Sequence, residues 1–135
     1  MPLTIWNQSA KRNNMSEHTE QAAVVEYIQR KYPNALFWST PNGAMMGGGR
    51  LGALRMNSLK REGLLPGVSD LTIFEPRGKY SAMFLEMKRT KGGVASDNQM
   101  WFLREVEKRG AFGVIAYGYD EAVNAVDMYL SGKAK

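Results

Sequence analysis

The chain has 135 residues, 44% hydrophobic and 23% charged, an ordinary composition for one globular domain with a real core. It holds no cysteine and a single histidine, His18, which excludes disulfides and thiolate zinc sites and leaves oxygen as the ligand for any metal. A formal charge of +5 favours a polyanionic partner, nucleic acid first, and no apolar run approaches the ~18 residues that a membrane span requires.

Residues 1–15 show no period and read as an N-terminal arm, although Met15-Ser16 equally fits a natural start. Ser16 is an N-cap for a helix to about Lys31, whose residues Glu17, Gln21, Val24, Val25 and Ile28 share one face. Ala35 to Thr40 reads as a strand, followed by the turn signal Pro41-Asn42-Gly43 and the glycine run Gly47-Gly48-Gly49. That run is not a phosphate-binding P-loop, because no Lys-Ser/Thr follows it. A helix is expected over Leu51 to Glu62, with Gly63 behind its C-terminus.

Two strands, Asp70 to Glu75 and Ser81 to Met87, flank the turn Pro76-Arg77-Gly78-Lys79 and form a hairpin. Asp97 to Arg109 is a helix capped by Ser96 or Asp97, Ala111 to Tyr117 is a strand, and Asp120 caps a last helix to about Leu130. The order α-β-α-β-β-α-β-α predicts one α/β domain over residues 16–132, with an antiparallel hairpin inside a mixed sheet and a short tail at 133–135. Trp101, Phe102 and Leu103 read as core, and Trp38, Met45 and Met46 as core, loop or interface.

The hairpin carries three charges where a buried strand disfavours them. A turn centred on Gly78 places Asp70 opposite Glu86, with Cβ atoms about 4.5–5.5 Å apart on one face. Lys88, two residues on, projects to the same face. Two readings fit: a strand-end ion pair neutralised by Lys88, or a hard divalent cation such as Mg²⁺ between the carboxylates. Glu17, on the inner arc of the first helix, reads either as a helix-dipole residue or as an outer carboxylate of such a site, with Glu20 at the arc's edge. Gln99 adds a polar group in the helix after Lys88.

In this order the chain resembles the PD-(D/E)XK nuclease superfamily, and within it the VRR-NUC family of virus-type replication and repair nucleases. The resemblance rests on Ser16 to Gln21, Pro41-Asn42-Gly43, Gly63 to Asp70, Glu86-Met87-Lys88, and Ser96 to Gln99 with Trp101, and it runs from about residue 16 to 130. Ser69-Asp70 stands where the superfamily has Pro-Asp.

The resemblance implies a restriction-endonuclease-like core and Mg²⁺- or Mn²⁺-dependent hydrolysis of a DNA phosphodiester. It implies Asp70, Glu86 and the Met87 carbonyl as metal ligands, Lys88 at the attacking water, Glu17 in an outer carboxylate role, and Gln99 positioning Lys88 or a phosphate. Asn42, Arg50, Arg55, Lys60, Arg61, Arg89 and Lys91 are the candidate DNA contacts, with a solvated basic face as the alternative for each. Small stand-alone members imply a cytoplasmic homodimer acting on branched DNA of the Holliday-junction kind. Flaps, nicks, duplex ends or non-catalytic DNA binding are the other readings.

Overall fold

Ser16 starts the first helix, its hydroxyl accepting the Thr19 amide at 3.3 Å. This is seen in a computed structural model that describes residues 16–41 and 48–135. The predicted arm and the residues Asn42, Met45 and Met46 lie outside those residues. Helix α1 spans Glu17–Lys31, and strand β1 spans Phe37–Ser39. Helix α2 spans Gly49–Arg61, and Gly63 follows its end with φ +108. The hairpin strands are β2, Leu71–Ile73, and β3, Met83–Lys88. Helix α3 covers Asp97–Lys108, strand β4 Phe112–Tyr117 and helix α4 Tyr119–Leu130.

The strands form one mixed sheet in the order β1-β2-β3-β4, antiparallel except for the parallel pair β3/β4. Leu71 pairs with Leu85 and Ile73 with Met83, which is the register that a turn centred on Gly78 predicts. The expected α/β domain with a hairpin in a mixed sheet is therefore observed.

One face of the sheet presents Leu71, Ile73, Met83, Leu85 and Met87 to Val24 and Ile28 of α1 and to Ala122, Val126 and Tyr129 of α4, all fully buried. Each large apolar side chain so removed from water contributes about 1.5–3 kcal/mol. Asp127 ties α1 to α4 by accepting from the hydroxyls of Tyr27 and Tyr32. On the opposite face α3 packs Phe102 edge-on against Phe84, with ring centroids 5.5 Å apart. The predicted core triplet is thus divided: Phe102 and Leu103 are buried, whereas Trp101 is exposed. Adjacent helical positions diverge by about 100° around the axis, so three in a row cannot all face the sheet.

The last helix also begins differently from expectation. Its N-cap is Gly118, at φ +92, and Asp120 is already the second helical residue. The turn out of β4 needs a left-handed backbone, which favours glycine at that point. Among the described residues no helix is long and apolar enough to cross a membrane.

Candidate active site

The β2–β3 ladder stops one residue short of Asp70, and the side chain of Asp70 takes over. Its backbone carbonyl accepts Thr40 N from the β1 side at 2.9 Å, while Oδ2 accepts Met87 N from β3 at 2.8 Å. The carboxylate is thereby fixed across the mouth of the hairpin, buried beside Ser69. Glu86 and Lys88 leave β3 on the face opposite Met87, the face that α3 covers.

Glu86 is almost wholly buried and receives two partners on one oxygen. Gln99 Nε2 donates to Oε2 at 3.0 Å, and Lys88 Nζ lies 3.5 Å from the same atom. The second oxygen, Oε1, is buried and meets no N–H or O–H donor among the described residues, leaving the Asp70 carboxyl as the group with which a protonated Glu86 can bond. Burial and then the neighbouring Asp70 carboxylate push the Glu86 carboxyl up to about 8, against the opposing pull of Lys88.

The Gln99 contact follows from the way α3 begins. Ser96 is its N-cap and Gln99 its third residue, and the two form a reciprocal capping box. Gln99 Oε1 accepts Ser96 N at 2.9 Å, which turns the amide nitrogen toward Glu86. A glutamate would make the same cap but would set an acceptor against the Glu86 carboxylate, so this position requires the amide. The partner that Gln99 shows here is Glu86; the resemblance implies Lys88 or a phosphate.

On the first helix the structure buries Glu20 more deeply than Glu17, the acid that the helical wheel selects. Glu20, Val24 and Ile28 form the buried line of α1, and Glu17 is only half-buried in the first turn. Glu20 approaches the C-terminal end of β4, where its Oε2 would stand 3.4 Å from a Cβ at Gly118. Gly118 N in turn donates to the Lys88 carbonyl at 2.9 Å. Any side chain at Gly118 would collide with Thr90, so the bare backbone lets these groups close together. Gln21 and Val25, which the wheel groups with Glu17, are partly buried as Glu17 is.

The candidate DNA contacts are peripheral to these groups. Arg50, Arg55, Lys60 and Arg61 are exposed on α2, and Arg89 and Lys91 are exposed just beyond β3. Asn42 lies outside the described residues. Among the described residues no three Asp, Glu, His or Cys side chains converge as a metal-binding group. A cation at this place would meet two carboxylates, backbone oxygen and water, a ligand set that suits Mg²⁺. The buried Oε1 of Glu86, which meets no N–H or O–H donor among the described residues, fits such a ligand, because a buried acceptor left unmatched is costly.

The family model of the VRR-NUC domain matches residues 15–120. A solved structure, a VRR_NUC domain protein, superimposes with a TM-score of 0.74 at 21% identity, covering 88% of this chain and 91% of that chain. At that identity the likeness establishes the fold. No curated protein matches the chain. The matched segment includes Glu20, Asp70, Glu86, Lys88 and Gln99 and most of the chain, which therefore belongs to the VRR-NUC family and carries a nuclease-type domain.

Proposed function

We propose that this protein is a divalent-cation-dependent DNA endonuclease that acts as a homodimer on branched DNA, with four-way junctions as its substrate class. The observation that carries this reading is the convergence of Asp70, Glu86 and Lys88 at one strand end, with a buried Glu86 oxygen that meets no N–H or O–H donor among the described residues.

Asp70, Glu86 and the Met87 carbonyl are the groups that would hold Mg²⁺ or Mn²⁺. When bound, such a cation supplies charge against the scissile phosphate and lowers the pKa of a coordinated water. Lys88 sets a compact ammonium beside Glu86, where it orients the attacking water and opposes the negative charge developing on the phosphate. Gln99 keeps Glu86 in place, and Glu20 is a buried carboxylate beside the turn whose Gly118 N–H donates to the Lys88 carbonyl. Arg50, Arg55, Lys60, Arg61, Arg89 and Lys91 supply phosphate contacts that give affinity without reading sequence. A two-fold dimer fits a branched substrate whose two strands are cut symmetrically.

The test is incision of a labelled four-way junction with Mg²⁺, by wild type and by Lys88→Ala, with a linear duplex of matching sequence as control. Paired symmetric nicks by wild type alone, with the duplex spared, are expected. A junction that is bound but survives intact would overturn the catalytic reading, and equal cutting of the duplex would overturn the junction preference.

A further inference from the structure

Beside the carboxylates lies a concavity of about 440 Å³, between the C-terminal half of α2 and the start of α3. Its volume falls within the roughly 300–1,000 Å³ typical of small-ligand pockets. Met56, Leu64 and Leu65 give it apolar walls, while Thr40 and Asn98 bring polar side chains to its lining. Leu65 remains 45% exposed, an apolar surface that nothing in the described structure covers.

We infer that this pocket takes one unstacked nucleobase of the cleaved strand, next to the scissile phosphate. The inference rests on the endonuclease reading and narrows its substrate to DNA with an unpaired or loosely stacked nucleotide at the incision site.

Position argues first. Gln99 is a wall of the pocket, and its Nε2 is the hydrogen-bond donor to Glu86. A phosphate held at Asp70 and Glu86 therefore has its own neighbouring nucleotide as the nearest part of the substrate. Chemistry argues second. Among the described residues no lysine or arginine lines the pocket, so it is not built for phosphate, whereas apolar walls with polar groups at the edge suit a heteroaromatic ring. Charge argues third. Lys60 stands one helical turn beyond Met56 on α2 and is exposed, as is Arg61, so the wall carrying Met56 also carries cations for the flanking backbone.

One wall of the pocket is tightly packed. Gly67 adopts φ +91 and packs so closely on the Asn98 backbone that no side chain could be accommodated there. A base stacked in an intact duplex cannot enter, and extruding it costs a few kcal/mol, least where it is already unpaired. Branch points supply such bases, so the pocket gives a physical basis for preferring branched DNA without reading its sequence.

The test uses four-way junctions carrying 2-aminopurine in turn on each side of the incision site, bound to full-length Lys88→Ala protein in Mg²⁺. Fluorescence is expected to rise severalfold at one of the two positions, and the rise is expected to vanish when Leu65→Phe or Met56→Phe is added. In protein with Lys88 intact, Leu65→Phe should slow incision of the ordinary junction. It should match wild type on a junction with an abasic nucleotide at the responsive position, and its melting temperature should be unchanged. Unaltered fluorescence at both positions, in a protein that still binds and cuts junctions, would overturn the base pocket and leave the endonuclease reading standing. Failure to bind or cut branched DNA at all would overturn both.

Discussion

Asp70 and Met87 meet across the end of the β2–β3 ladder, where Asp70 Oδ2 accepts the Met87 backbone N–H at 2.8 Å. The carboxylate is therefore a structural acceptor as well as a candidate ligand, and two substitutions separate these roles. Asp70→Asn keeps an oxygen for Met87 N, whereas Asp70→Ala leaves that buried donor unmatched. The alanine variant is expected to be about 1–3 kcal/mol less stable than the asparagine variant by chemical denaturation. Junction incision should fall by about 10³-fold in both, the order expected when several kcal/mol of metal-assisted stabilisation disappears. Equal stabilities would show that the Met87 hydrogen bond contributes nothing.

Glu86 makes stability depend on pH with a definite sign. Its carboxyl is pushed from the ordinary 4.5 up to about 8, mainly by burial and next by Asp70. A raised folded-state pKa means that the folded protein holds this proton more tightly than the unfolded chain. The resulting stabilisation is fully present below about 4.5 and lost as pH rises through about 8. Metal-free wild type should therefore lose melting temperature over that window relative to Glu86→Gln, which has no proton to lose. Added Mg²⁺ should stabilise wild type more at the alkaline end, because a cation binds the ionised carboxylate. Parallel melting curves for the two proteins would contradict the shift.

Gln99 performs two tasks with one amide, and they can be dissected. Ser96→Ala removes the cap alone and should cost about 1 kcal/mol with incision retained. Gln99→Glu keeps an oxygen for Ser96 N but sets a carboxylate against Glu86, and it should lower activity about 10–100-fold. If Ser96→Ala were as impaired in incision as Gln99→Glu, Gln99 would matter only as a helix cap.

The hairpin is legible in the sequence because its register has a local cause. A glycine-centred turn and alternating apolar residues fix which side chains stand opposite each other, so the residue order alone brings Asp70 and Glu86 together. The cap at Ser96 is legible for the same reason, since capping depends on residues three apart. The choice between Glu17 and Glu20 is not. It depends on how α1 lies against the end of β4, about a hundred residues away. Gln99 stands out as a polar residue but its partner does not, because that partner is set by how α3 lies on β3. The pocket under Leu65 leaves no trace in the sequence, being assembled from α2, the loop after it and α3, with no periodic signal in any one of them.

The Glu20 assignment has its own test. Glu20→Gln should reduce incision about 10–100-fold with little change in junction affinity, while Glu17→Gln should stay near wild type. The opposite ranking would restore Glu17 to the site and leave Glu20 as a structural residue of α1. Melting curves for both variants separate loss of function from loss of fold.

Substrate affinity, finally, should respond to α2 independently of the carboxylates. Arg55, Lys60 and Arg61 are exposed on one helix whose Met56 borders the pocket. If each touches one phosphate, replacing it with glutamine should weaken binding of every branched DNA by a similar factor. The slope of log affinity against log salt should fall by about 0.9 for each phosphate no longer neutralised on duplex arms. Position-specific losses, confined to one sequence or one junction arm, would instead mean that the helix reads base edges. Unchanged slopes would mean that the basic face is solvated and that the charge steering DNA to the site comes from Arg89 and Lys91 beyond β3. Because Lys60 and Arg61 stand on a separate element from Asp70 and Glu86, incision at saturating DNA should be preserved in these variants. A fall in the saturated rate would place α2 within the catalytic assembly.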